Sequence, residues 1–228
     1  MRRILVLLAL IAVLSSCGLS SSLTRGSQYP LMYEEKPVTL LVMPPINNTT
    51  NVEAKDLLYT SISRPLIDAG YYVIPPMIVM EVLKEESAYD SEIFVDSSLD
   101  MFKAFFGADA VVFSEINKWA KVGVGIDADI RYFIRSATTG EILFDRSCDL
   151  FLDLSSKSKD DEEKTSILNA LINLATTAIH TAMTDHIVAA RKANYYIFED
   201  LPRGKYSPDY LKDMEIRADE MNISVTVK

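Results

Sequence analysis

The sequence predicts an α/β fold in which short buried strands and then an antiparallel meander form a mixed sheet with packed helices, one of them long. Three observations carry this prediction. Two apolar runs, "PVTLLVMPP" (37–45) bounded by prolines and "YYVIPP" (71–76) ended by them, flank a stretch of helical spacing, the pattern of buried strands joined by a crossover helix. Segments 108–121, 125–138 and 141–154 alternate polar and apolar residues and are separated by short turns, as in a meander. A helical pattern then runs from about Glu162 to Asn194, long enough to cover a sheet face.

At the N-terminus, Met1-Arg2-Arg3 precedes the apolar run "ILVLLALIAVL". At ~1.5 Å per residue this run spans about 17 Å, well short of a ~30 Å hydrocarbon core, so 1–16 reads as a secretory signal and not a membrane span. Leu14-Ser15-Ser16-Cys17 matches a lipobox: an aliphatic residue, two small ones, then the cysteine that takes the lipid. The alternative is an ordinary cleavage site that happens to precede a cysteine. Gly18 stands where inner-membrane retention would place an acidic residue, which by the sorting rule for lipoproteins directs the chain to the outer membrane, facing the periplasm.

Cleavage before Cys17 leaves 212 residues with 21 basic and 32 acidic side chains, a formal charge of −11. Such a chain lacks the basic footprint of nucleic-acid binding, and anionic lipid attracts it no better, so acyl chains must do the anchoring. Cys148, left without a partner if Cys17 is lipidated, is expected to be buried.

Residues 17–36 read as the lipidated cysteine and a flexible tether, 37–194 as the α/β domain, and 195–228 as a C-terminal extension. Within the domain, Val52–Ala69 carries Leu57, Leu58, Ile62, Leu66 and Ile67 at helical spacing and stops at Gly70. Residues 77–86 and 98–106 are further helical stretches, the second closed by Gly107. In the meander, Ile126, Ala128, Ile130, Tyr132 and Ile134 point to the core, while Asp127, Asp129, Arg131 and Arg135 point to a wet face. "TTGE" (138–141) is a hairpin turn, and "SSKSKDDEEKTS" (155–166) a solvated loop that runs into the long helix. "ISVTVK" alternates like an added edge strand.

No catalytic constellation can be assembled. There is no nucleophile elbow, Walker loop or dinucleotide fingerprint, and "GVG" (123–125) is a turn. His180 and His186, six apart on one helix, lie ~240° apart around its axis and cannot share a metal. The run Asp160–Glu163 lacks the spacing of a calcium loop and suits a helix start. "NNTT" (47–50) reads as a turn that offers a helix cap. The expectation is a non-enzyme with no metal and no cofactor.

"LLVMPPINNT", "RPLIDAGYYVIPP", "FGADAVV" and "TTGEILF", in this order, give the chain a family resemblance. It resembles the outer-membrane lipoproteins typified by the meningococcal genome-derived antigen lipoprotein (domain of unknown function seven-nine-nine), from the signal peptide to about Tyr210. The resemblance implies a sandwich similar to the N-terminal domain of TolB and a genomic setting beside a CsgG-like secretion lipoprotein. It implies no active site, and "ADEMNISVTVK" has no counterpart in it.

The function expected is therefore that of an accessory or adaptor subunit in an envelope secretion or transport complex. The alternative is a tethered periplasmic binder feeding a transporter. The candidate interface lies in "TSILNALINLATTAIHTAMT" (165–184), which has no charged residue. One helical stripe is apolar. The other offers Asn169, Asn173, Thr176, Thr177, His180 and Thr184, polar but neutral, as protein interfaces are depleted of charge. Either the tail after Tyr195 covers this face, or a second protein or second copy of the chain does.

Overall fold

The computed structural model describes residues 23–86, 88–155 and 174–227, of which 174–184 as backbone only. The elements in chain order are α1 (Arg25–Gln28), α2 (Pro30–Glu35), β1 (Thr39–Val42), β2 (Ile46–Asn47), α3 (Glu53–Ser61), α4 (Ser63–Asp68), β3 (Tyr72–Val73) and α5 (Pro76–Glu85). A 3-10 turn (Ser91–Phe94) follows, then α6 (Asp100–Phe106), β4 (Ala110–Val122), β5 (Gly125–Ser136), β6 (Ile142–Asp153), α7 (Leu174–Phe198) and β7 (Asn222–Val227). Seven strands make one mixed sheet in the order β3-β1-β4-β5-β6-β7, with β2 beside β4. The first strands pair in parallel, β4 to β6 form the antiparallel meander, and β7 adds in parallel to β6.

The proline-bounded run around β1 is a central strand whose Leu40, Leu41 and Val42 are fully buried, between helices on both faces. The helix predicted over 52–69 is two helices, divided at Ile62. Pro65 has no N–H to offer the Ser61 carbonyl, so the first helix ends there and a second begins. Asn51 starts the pair by accepting from the Ala54 N–H at 3.1 Å.

The inward stripe of β5 behaves as its alternation predicts. Ala128, Ile130, Tyr132 and Ile134 are fully buried against α3, α4 and α7, together with Leu58, Leu66, Ile197 and Phe198. The Tyr132 hydroxyl donates to the Asn194 side-chain oxygen, and the Asn194 amide donates to Ser61 Oγ at 2.8 Å. This buried polar chain ties sheet, α7 and α3 together.

The opposite face is wet over only part of its length, a correction to the expectation of one solvated face. Phe113 and Phe133 stack with ring centres 5.1 Å apart, and α5, the 3-10 turn and α6 cover them. Beyond Phe133 the face carries cross-strand ion pairs: Lys118 with Asp127 at 2.6 Å, and Arg131 between Asp145 at 2.6 Å and Glu115 at 3.2 Å. Arg135 turns inward to the carbonyls of Phe94, Val95 and Ser97, so it pins the 3-10 turn instead of facing water.

Two domain boundaries shift. The tether predicted for 17–36 is folded from residue 23 onward, with Arg25, Tyr29, Met32 and Tyr33 buried. The extension predicted for 195–228 is part of the same body, because α7 continues to Phe198 and β7 completes the sheet. The two segments fasten each other. Arg25 N–H donates to the Ile216 carbonyl, Gly26 N–H to Met214, and Ala218 N–H returns to Leu23. Beneath this strap the Arg25 guanidinium reaches Asp200 at 3.0 Å, Asp213 at 3.3 Å and the Glu199 carbonyl at 2.9 Å. Tyr29 also donates to Asp200, and burial beside Asp213 raises the Tyr33 hydroxyl above its ordinary range.

Candidate functional site

Of the residues singled out in the sequence, Cys17, Asn169 and Asn173 lie outside the described residues. Thr176, Thr177, His180 and Thr184 fall on α7, and their side chains too lie outside the description. The acidic run Asp160–Glu163 is likewise outside it.

What the described surface offers is a groove between α3–α4 and α5. Its volume is about 590 Å³; Tyr59, Pro76, Met77 and Met80 line its floor and wall, and Asp56, Glu81 and Lys84 stand at its rim. The local sequence explains the shape. Pro75 and Pro76 end β3 and start α5 at once, with Pro76 at a position whose N–H needs no partner. Val79 and Leu83 then turn inward, which leaves Met77 82% exposed. Tyr59 fixes the opposite wall: its hydroxyl donates to the Pro76 carbonyl at 2.9 Å. Thr60 is shared with a second groove, of about 480 Å³, lined by Ser61, Arg64, Pro65, Asp68, Arg191 and Tyr195. The two make one track from α5 across the α3–α4 break to α7. An unbranched thioether fits partners of irregular shape, so Met77 and Met80 give this track its adaptable part.

The histidine the description covers is a packing residue. The Trp119 indole donates to His186 Nδ1 at 2.9 Å, and the two rings stack 5.8 Å apart. Burial lowers the imidazole below its ordinary range, against the weaker pull of Glu53 and Asp185. The proton therefore sits on Nε2 and the ring is neutral at pH 7. Because the folded value lies below the unfolded one, the unfolded chain binds the proton first, and stability falls as pH drops from about 6.5 through the folded value. Trp119 is the only tryptophan, so its fluorescence reads this event directly. We expect a titration midpoint below 6.5 that disappears in His186→Gln, whose amide oxygen still accepts from the indole. A midpoint above 6.5 would contradict the burial argument.

Cys148 is fully buried, and burial pushes its thiol up to about 12, which keeps it protonated and unreactive. Among the described residues no group of three or more His, Cys, Asp or Glu is placed to hold a metal, and no helix is long and apolar enough to cross a membrane.

Fold and surface together define a class: an α/β domain with a strapped N-terminus that presents open grooves on its helical side. Within that class the particular family follows from residues 27–200, which match the model described as "Putative lipoprotein GNA1162-like"; the chain belongs to this GNA1162-like lipoprotein family. It is similar to the "Putative lipoprotein NMB1124/NMB1162" of Neisseria meningitidis serogroup B, 22% identical over 200 residues, 86% of this chain and 89% of that one. Among solved structures it is similar to lipoprotein GNA1162 of N. meningitidis, with a TM-score of 0.47 and 21% identity over 65% of this chain and 98% of that one. It is also similar to the hypothetical protein CT253 of Chlamydia trachomatis, with a TM-score of 0.45 and 13% identity over 71% and 94% of the two chains.

Proposed function

We propose that the protein is a non-enzymatic adaptor, held by lipid at Cys17 on the periplasmic side of the outer membrane, that docks another protein of an envelope secretion or transport complex. A CsgG-like lipoprotein is the partner class the sequence resemblance favours. The observation that supports the reading is the track that begins at Met77 and Met80, apolar at its centre and charged at its rim, the anatomy of a transient protein interface. A small-molecule binder would instead bury most of its ligand in a concave pocket.

The test places a photo-crosslinking amino acid at Met77 in the full chain in native envelopes. It should give one discrete adduct with an envelope protein. Met80→Glu should reduce that adduct at least tenfold, the effect of losing a hot spot of ~2 kcal/mol, with the fold intact. Absence of an adduct, or a small molecule that co-purifies at one per chain, would overturn the reading.

A further inference from the structure

The strap leaves very little chain between the lipidation site and the folded body. Cys17 and Leu23 are six residues apart, and at ~3.5 Å per residue the link reaches at most about 20 Å. A chain of this size folds to roughly 40 Å across. The anchor therefore keeps Leu23 within about 20 Å of the bilayer, half the width of the domain, and the surface around Leu23 is the one held nearest to it.

That surface is built for the meeting. Leu23 is 56% exposed and shares a groove of about 530 Å³ with Met221, itself 47% exposed. Exposed Met214 and Ile216 belong to the stretch of tail hydrogen-bonded to the strap at Gly26 and Arg25. The charged groups between them are mixed in sign: Lys212 and Arg217 against Glu215, Asp219 and Glu220. No one-sided charge draws the surface to anionic headgroups, so its hold is apolar.

We propose that Leu23, Met214, Ile216 and Met221 rest in the headgroup–acyl boundary of the bilayer that holds the lipid, fixing the orientation of the domain as well as its distance. This rests on lipidation at Cys17. The β4–β5 turn then points away from the membrane. The Met221 carbonyl accepts from Ser147, which pairs with Arg131, so six residues of β5, about 20 Å at ~3.3 Å per residue, separate that part of the surface from the turn. One covalent anchor and one weak apolar contact reinforce each other, because the anchor keeps the second contact at high effective concentration.

The experiment uses the full lipidated chain in phosphatidylcholine vesicles, with and without phosphatidylglycerol. A spin label is placed at Ile216→Cys or at Val124→Cys in the far turn; both side chains are exposed, and Cys148 is buried. At Ile216 the label should collide more with oxygen, which partitions into lipid, than with an aqueous nickel complex. At Val124 the order should reverse. The preference at Ile216 should survive added salt and the omission of phosphatidylglycerol. Equal water exposure at both positions, in chains that float with the vesicles, would overturn the proposal. So would an Ile216 label shielded from both reagents and dipolar-coupled to its copy, which would make the surface an interface between chains. Failure of the lipid reading shows separately: the parent chain would then neither take up labelled palmitate nor float, and this proposal falls with it.

Discussion

Arg25→Ala should cost the domain about 3–5 kcal/mol, because it leaves Asp200 and Asp213 buried without their cation. Both carboxylates are at most 1% exposed, and the guanidinium is the group that reaches both. The hydroxyl of Tyr29 and the N–H groups of Asp219 and Arg203 still donate to them, but these bonds satisfy lone pairs without neutralising charge. For a domain of this size the loss corresponds to a fall in Tm of roughly 6–20 °C. The control is a triple variant, Arg25→Met with Asp200→Asn and Asp213→Asn. If uncompensated charge is the cause, neutralising both carboxylates should recover more than half of the loss in urea denaturation. A triple variant no better than Arg25→Ala would mean that the packing of the Arg25 stem, and not its charge, holds the strap.

A loss of about 3 kcal/mol is expected for Gly70→Ala. Gly70 follows α4 at φ +96°, a conformation that opposes a side chain, and the backbone of the tail lies directly against it. An added Cβ would stand 2.5 Å from the Ser207 nitrogen and 2.9 Å from the Gly204 oxygen. Gly204 mirrors the crowding, since its own Cβ would stand 2.5 Å from the Gly70 oxygen. Two glycines thus let two backbones cross, with Gly204 N–H bonded to Ala69 and Tyr206 N–H to Gly70, both at 2.9 Å. Gly107→Ala is the matched comparison: φ is +69° there, but nothing lies within 4 Å of an added Cβ. It should cost only the ~1–2 kcal/mol of a left-handed residue. The gap between the two variants measures the clash, and equal losses would show that the tail simply moves aside.

These two sites mark what the sequence could and could not convey. Ile126 to Ile134 announced a half-buried strand because alternation is a local property of the chain, and Gly107 announced a helix end for the same reason. "ISVTVK" likewise read correctly as an edge strand. Arg25 announced nothing. It is one basic residue in a serine-rich stretch, and it becomes a core residue only because Asp200, 175 positions away, meets it in the fold. The crossing of Gly70 and Gly204 is equally invisible, for Gly70 by itself reads as a helix stop. The groove escaped for a related reason: the exposure of Met77 depends on how α5 lies against α3, a tertiary matter. The neutral face of the long helix was legible as a pattern, and its residues fall outside those whose side chains are described.

The strap also sets an order of events. A polypeptide emerges N-terminus first, so residues 24–35 are in place long before residues 199–219, the groups they bind. Local helices and the β4–β5–β6 meander can form as they appear, and Tyr29 can settle on Phe144 of β6, whereas Arg25 has no carboxylate partner until the tail arrives. The first part of the domain to be made is then among the last to be fixed. During that interval the segment is exposed to proteases, and a slow final phase in refolding should report its closure. Because the tail supplies the carboxylates, a chain interrupted before Asp200 leaves the Arg25 guanidinium without either of them.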